Sequence, residues 1–193
     1  LTQISSMIRA MKHQSIISQY LSQSFPSWSA RNKRAYFSVP LYWRKTLFDT
    51  GSLTAQLIAI SDGDFAVKVL WQGWRKLTQQ EALLLGCCGN QTTAWCRDVV
   101  LSVQGKPKVY ARTCMPKNTL TGDECQLKNW GSKSIGAYLF NHPQMLRGKM
   151  SAYRIPNNEL SLSWARRSVF YLQHKPILVT EAFTQALPQE PTH

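Results

Sequence analysis

The chain has 193 residues, a formal charge of +13, 44% hydrophobic and 11% aromatic residues, and a mean hydropathy of -0.28. This composition suits one globular domain and excludes a largely disordered chain. The longest apolar stretches, such as residues 82–89, are far shorter than the ~20 residues of a membrane-spanning helix, so we expect a soluble protein with no integral membrane segment.

The positive charge is concentrated near the N-terminal end. No acidic residue precedes Asp49, whereas residues 1–48 contain seven Lys and Arg side chains. The basic excess beyond that point is mild and suits a small anionic ligand as well as a polyphosphate, so we expect no nucleic-acid partner.

The five cysteines and four histidines show no metal-binding or disulfide spacing. They stand at positions 87, 88, 96, 114 and 125, and at 13, 142, 174 and 193. We therefore expect a cytoplasmic protein with no metal and no cofactor.

Residues 1–35 form a basic extension rich in Ser and Gln, which we expect to be poorly ordered, and residues 36–190 form the domain. The extension has the composition of a transit peptide, and an extension without targeting function fits equally well. Two short helices are predicted between Val39 and Ile60, with Ser52 as the N-cap of the second. A β-rich stretch, residues 65–71, then predicts a strand.

Two capping-box patterns mark later helices. Thr78 and Glu81 have this spacing before an apolar run, and Thr121 and Glu124 repeat it before residues 125–131. A further helix is predicted over S-I-G-A-Y-L-F, residues 134–140.

A partial repeat predicts two hairpins. Residues 102–113 and 171–182 share Q-x-K-P between two β-rich runs. With the earlier strand they predict a single α+β domain, whose antiparallel sheet has at least five strands and helices on one side.

Side-chain alternation places one charged residue in an apolar row of each hairpin. Arg97 shares a face with positions 95, 99, 101 and 103, and Glu181 shares a face with positions 177, 179 and 183. If Val103 lies opposite Lys108, then Arg112 becomes a diagonal neighbour of Arg97 on the same face.

The same register in the second hairpin places Glu181 opposite Ser168, with Arg166 on its face and Arg167 on the other. A slip of one residue would exchange the faces. The charges form either a structural ion pair or a ligand site. The excess of arginine favours a ligand with two carboxylates, because one glutamate cannot neutralise several guanidinium groups.

The motifs W-C-R-D-V-V-L (95–101), A-R-T (111–113), P-x-x-T-L-T-G (116–122), S-I-G-A-Y-L-F (134–140), W-A-R-R-S (164–168) and K-P-I-L-V-T-E-A-F (175–183) resemble the chorismate lyase family. The resemblance implies a six-stranded antiparallel sheet with helices on one side and helix-turn-helix flaps over a buried site. It also implies a cofactor-independent lyase that converts chorismate to para-hydroxybenzoate and pyruvate for ubiquinone biosynthesis, and we expect a monomer.

The resemblance also assigns roles to particular residues. Arg97 would bind the ligand carboxylate and Glu181 the ligand hydroxyl, which makes both catalytic. Leu53, Arg112 and Ile135 would complete the substrate-binding site. Asp98 and Ala165 depart from the family pattern. The alternative is a domain that binds a small acid without turnover, as in the effector-binding part of some transcription regulators.

Overall fold

The computed structural model of the protein describes residues 16–22, 33–87, 93–156 and 158–188. Residues 16–22 are helical. The remaining elements follow in this order: α1 (Lys33–Ser38), α2 (Leu41–Phe48), α3 (Leu53–Ala59), β1 (Phe65–Lys76), α4 (Gln79–Leu84), β2 (Thr93–Val103), β3 (Lys106–Pro116), a 3-10 helix (Gly122–Asn129), α5 (Ile135–Asn141), β4 (Met145–Arg147), β5 (Ser151–Arg154), β6 (Trp164–Leu172) and β7 (Lys175–Phe183). None of the helices in these ranges is long and apolar enough to cross a bilayer.

The described strands form one antiparallel sheet in the order β1-β2-β3-β7-β6-β4, and β5 also pairs with β6. The sheet therefore has seven strands, which corrects the six that the family resemblance implies. The extra strand arises at the edge, because β4 and β5 pair with consecutive parts of β6. Between them the Gly148 backbone N–H donates to the Val169 carbonyl at 2.7 Å, and the ladder is interrupted.

Most predicted helices are confirmed, with one different cap. The Ser52 hydroxyl accepts from the Ala55 N–H at 3.3 Å, and Thr78 forms its capping box. The Thr121 side chain does not cap, and the segment that follows is a 3-10 helix. Glu124, the second residue of the predicted capping box, does not take part because its carboxylate accepts a hydrogen bond from Lys175 Nζ at 2.5 Å.

Both hairpins turn through two residues with positive φ. Gln104 and Gly105 have φ of 50° and 67°, and Gln173 and His174 have φ of 48° and 70°. This pattern is typical of a type I′ turn, which matches the twist of the flanking strands. Val103 therefore lies opposite Lys106, so the predicted pairing of Val103 with Lys108 is wrong.

The two hairpins differ in register beyond their turns, because the first contains a β-bulge. Ser102 pairs with Pro107 and Leu101 with Val109, which leaves Lys108 without a partner in the ladder. As a result Asp98, rather than Val99, lies opposite Arg112. The second hairpin has no bulge, and Glu181 lies opposite Arg166 instead of the predicted Ser168. That error of two residues leaves the predicted faces of Arg166 and Arg167 unchanged.

Helices cover both faces of the sheet, which corrects the expectation of helices on one side. The front face carries Arg97 and Glu181, and its core contains Trp43 of α2, Leu53 of α3 and Ile135 of α5. The back face carries Arg112. It is covered by Ala82 of α4 and by residues 16–22, where Ile17 and Leu21 are buried.

Candidate active site

A polar cluster lies on the front face between two hydrophobic cores. The floor of the site is formed by four small or branched side chains of β2, β3 and β7 that keep 6–8% of their surface exposed: Val99, Ala111, Thr113 and Val179. Residues beyond them on the same strands, such as Val109 and Ile177, are fully occluded. These small side chains lie between Arg97 and Glu181 on the sheet.

Arg97 is 2% exposed and holds the loop that precedes α5. Its Nη2 donates to the carbonyls of Gly131 at 2.6 Å and Lys133 at 3.0 Å. No Asp or Glu of the described ranges forms an ion pair with it. Burial lowers the pKa of Arg97 to about 10, which still leaves the guanidinium charged at neutral pH.

Two buried donors on this face lack an acceptor in the described part of the chain. They are Arg97 Nε and Trp95 Nε1, two residues apart on β2. A buried donor left unsatisfied costs about 1–3 kcal/mol. An anion bound beside Arg97 would recover this energy and neutralise the charge, so the position has the chemistry of a carboxylate site.

Glu181 forms an ion pair with Arg166. Arg166 Nε lies 2.5 Å from Glu181 Oε2, and its Nη1 donates to the carbonyls of Thr46 at 2.8 Å and Asp49 at 3.3 Å, at the end of α2. The Glu181 side chain is 13% exposed, whereas Arg166 is 1% exposed. Among the described residues, Glu181 Oε1 has no hydrogen-bond partner. This oxygen is free to accept from a ligand hydroxyl.

A third arginine, which the sequence analysis missed, lies beside this pair. Arg147 Nε donates to Ser168 Oγ at 3.0 Å, and its Nη1 donates to the Asp49 carbonyl at 3.3 Å. Its guanidinium lies 5.0 Å from the ring centroid of Phe170. Burial, with the nearby charge of Arg166, lowers the pKa of Arg147 to about 10. β4 is only three residues long, so no periodicity in the sequence could have identified it.

Two helix starts form the roof. Leu53 and Ile135 are the first residues of α3 and α5, and both are buried. Thr54 Oγ1 and Ser134 Oγ are 2.7 Å apart and hydrogen-bonded, which ties the two helices together. A Cβ at Gly136 would lie 3.1 Å from Thr54 Oγ1, so glycine permits this close approach.

Arg112 is not part of this cluster, contrary to the predicted arrangement. The corrected register turns it to the back face, where its Nε and Nη2 donate to the Asp98 carboxylate at 2.7 and 2.8 Å. Glu81 lies 3.8 Å from its Nη1. Burial acts to lower the pKa of Arg112, but the hydrogen bonds and charge of Asp98 raise it overall. The sheet separates Arg112 from Arg97.

The structure thus brings together Leu53, Arg97, Ile135 and Glu181, and adds Arg147 and Arg166. No group of three or more His, Cys, Asp or Glu side chains within the described ranges is arranged to hold a metal ion. The cluster is suited to a small anion with a hydroxyl group.

Comparison with known proteins agrees with this chemistry. Residues 28–189 match the family described as Chorismate lyase. A probable chorismate pyruvate-lyase of Psychromonas ingrahamii is 36% identical over 153 residues, covering 72% of this chain and 81% of that protein. Another, from Pseudomonas syringae pv. tomato, is 32% identical over 168 residues, covering 84% of this chain and 89% of that protein.

Solved structures share the fold at low sequence identity. The effector domain of PhnF from Mycobacterium smegmatis superposes with a TM-score of 0.51 and 13% identity, covering 69% of this chain and 88% of that chain. A second structure of PhnF gives a TM-score of 0.52 and 12% identity, covering 72% of this chain and 66% of that chain. At these identities the likeness concerns the fold alone.

Proposed function

This chain belongs to the chorismate lyase family, and from that premise we propose that it converts chorismate to para-hydroxybenzoate and pyruvate on the front face of its sheet. The observation that supports this site most directly is Arg97, a buried guanidinium without a carboxylate partner in the described ranges, placed across a floor of small residues from Glu181.

The spacing of the two residues suits one ring. Arg97 and Glu181 lie two strands and two residues apart on the sheet, which separates their backbones by about 12 Å. Their side chains would extend over Ala111 and Thr113 and hold between them a six-membered ring with its para substituents. Arg97 would therefore bind the ring carboxylate, and Glu181 the hydroxyl on C4.

The reaction needs positioning more than an added reagent. The bond between ring carbon C3 and the ether oxygen breaks, and its electrons leave with the enolpyruvyl group. The hydrogen on C4 is lost, the methylene carbon gains a proton, and the products are pyruvate and the aromatic acid. Aromatisation supplies much of the driving force, so we propose that neither metal nor cofactor takes part.

Glu181 would accept a hydrogen bond from the C4 hydroxyl, which fixes the carbon that loses its hydrogen. Arg166 holds the other carboxylate oxygen and keeps the acceptor in place. Leu53 and Ile135 would contact the ring from above, and α3 and α5 would act as flaps that exclude water. We also propose that the protein is a cytoplasmic monomer that supplies ubiquinone biosynthesis.

The test combines the purified protein with chorismate in the presence of EDTA. Formation of para-hydroxybenzoate would be followed by absorbance and pyruvate by a coupled assay. We expect equal amounts of both products at a rate that EDTA does not change. Tight binding of chorismate without turnover would instead indicate a sensor domain, whose fold this chain shares.

A further inference from the structure

Arg147 is an arginine of the cluster to which no role has been assigned above. We propose that it binds the carboxylate of the enolpyruvyl group, and thereby distinguishes the substrate from the aromatic product. This inference rests on the proposed lyase reaction and names the group that recognises the second acid of the substrate.

The position of Arg147 supports this role. Its Nε donates to Ser168 Oγ, and Ser168 lies in the same row of the sheet as Arg97, with Val179 and Thr113 between them. Three strand spacings separate the ends of this row, about 14 Å between backbones. Arg97 and Arg147 therefore approach the floor from opposite ends, and Glu181 lies in the neighbouring row.

The substitution pattern of the ring fits this order of groups. With the C1 carboxylate on Arg97 and the C4 hydroxyl on Glu181, the enolpyruvyl ether on C3 lies next to the hydroxyl. In the ring orientation that turns C3 toward β6, this ether projects away from Arg97. The second carboxylate would then reach the end of the site where Arg147 lies.

Arg166 is a poorer candidate for the same carboxylate. Its Nε is engaged by Glu181, and its Nη1 by the carbonyls of Thr46 and Asp49. Arg147 uses Nε and Nη1 only, and no described residue accepts a hydrogen bond from its Nη2. It therefore retains a donor for a ligand, while Ser168, Asp49 and Phe170 fix its orientation.

The charges are consistent with a doubly negative substrate. Arg97, Arg147 and Arg166 share one carboxylate in the cluster, that of Glu181. The Asp49 carboxylate accepts from the Gly51 backbone N–H on the exposed side. A dianion would neutralise the two arginines that lack an acidic partner in the described ranges, Arg97 and Arg147.

If Arg147 binds the enolpyruvyl carboxylate, its loss should weaken the binding of chorismate but not of para-hydroxybenzoate. If Arg147 only supported the fold, its loss should weaken both. para-Hydroxybenzoate keeps the ring carboxylate and the hydroxyl but has no enolpyruvyl group. Arg147→Met should therefore raise the KM for chorismate at least tenfold and leave the inhibition constant of para-hydroxybenzoate within twofold. Arg147→Lys should recover part of the loss. Arg154→Met, which removes an exposed arginine from neighbouring β5, is the matched control and should change neither quantity.

A second measurement uses the wild-type protein and does not depend on the variant folding. Pyruvate should compete with chorismate and bind together with para-hydroxybenzoate, because the two products would occupy different arginines. The proposal is overturned if KM and the product inhibition constant change in parallel in Arg147→Met, or if pyruvate and para-hydroxybenzoate exclude each other. Absence of turnover in the wild-type protein would instead overturn the lyase assignment itself.

Discussion

Arg97 and Arg112 are buried on opposite faces of the same hairpin, because Arg97 pairs with Thr113 while Arg112 pairs with Asp98. Their surroundings differ as much as their faces. Arg112 has a bidentate carboxylate partner. Within the residues that the structure describes, Arg97 donates only to two carbonyls, and its buried Nε has no acceptor. The charge of Arg112 is balanced within the fold, and we propose that the charge of Arg97 is balanced by a bound ligand.

We expect Arg97→Ala to lower kcat/KM for chorismate at least about 30-fold, since truncating one partner of a buried charged pair costs about 2–5 kcal/mol. The kcat/KM of Arg97→Lys should lie between those of the wild type and Arg97→Ala, because an ammonium group keeps the charge but cannot form the bidentate fork. Steady-state kinetics test this order. Amide exchange should also accelerate over residues 131–133, because Arg97 donates to the carbonyls of Gly131 and Lys133. A wild-type kcat/KM in Arg97→Ala would contradict the site.

We expect Glu181→Gln to reduce kcat by no more than about tenfold, a barrier change of about 1.4 kcal/mol. The amide oxygen can still accept from the ring hydroxyl, and Arg166 retains its two carbonyl partners. Glu181→Ala removes the acceptor and should lower kcat further. A collapse of kcat in Glu181→Gln with unchanged affinity for para-hydroxybenzoate would show that Glu181 takes the ring proton.

We expect Arg112→Met to lower the free energy of unfolding by about 3–5 kcal/mol, because Asp98 is left charged and unpaired in the interior. Urea denaturation measures this loss. The double variant Arg112→Met/Asp98→Leu should regain part of the stability. At urea concentrations well below its unfolding midpoint, where Arg112→Met is folded, its kcat/KM should stay within a few-fold of the wild-type value. Loss of kcat/KM without loss of stability would place Arg112 in the active site after all.

We expect Thr54→Val to increase the dissociation rate of para-hydroxybenzoate several-fold. The change keeps the shape of the side chain but removes the hydrogen bond to Ser134 that joins α3 to α5, worth about 1 kcal/mol. Thr54→Ser, which keeps the hydroxyl, is the control and should release product at the wild-type rate. Stopped-flow dilution measures the dissociation rate of para-hydroxybenzoate from each protein. Equal rates in the wild type, Thr54→Val and Thr54→Ser would show that the roof does not retain the ligand.

Much of the fold could be predicted because its signals are local. The caps at Ser52 and Thr78, the helix over S-I-G-A-Y-L-F and the two hairpins all follow from residue types within a few positions of each other. Glu181 and Arg97 were also identifiable, since each interrupts an apolar row. The motifs that resemble the family then assigned their roles.

Register and long-range contacts could not be predicted in the same way. The turn residues Gln173 and His174 adopt positive φ without glycine, so nothing in the second hairpin marks a two-residue turn. The bulge at Lys108 has no distinctive residue type. Arg147 reaches the site from a strand of three residues, and Thr121 loses its capping partner to Lys175, 54 positions further along the chain.

The bulge at Lys108 also marks where the length of this hairpin can vary. Hairpins usually tolerate insertions and deletions near their tips, because the added residues remain in solvent. Deletion of Lys108 itself would only join the two regular parts of the ladder, because Leu101 would still lie opposite Val109 and Arg112 opposite Asp98. A one-residue deletion or insertion between Val109 and Arg112, with the bulge kept, would instead turn Arg112 to the front face. The length of that segment is therefore constrained as firmly as the identity of a buried side chain.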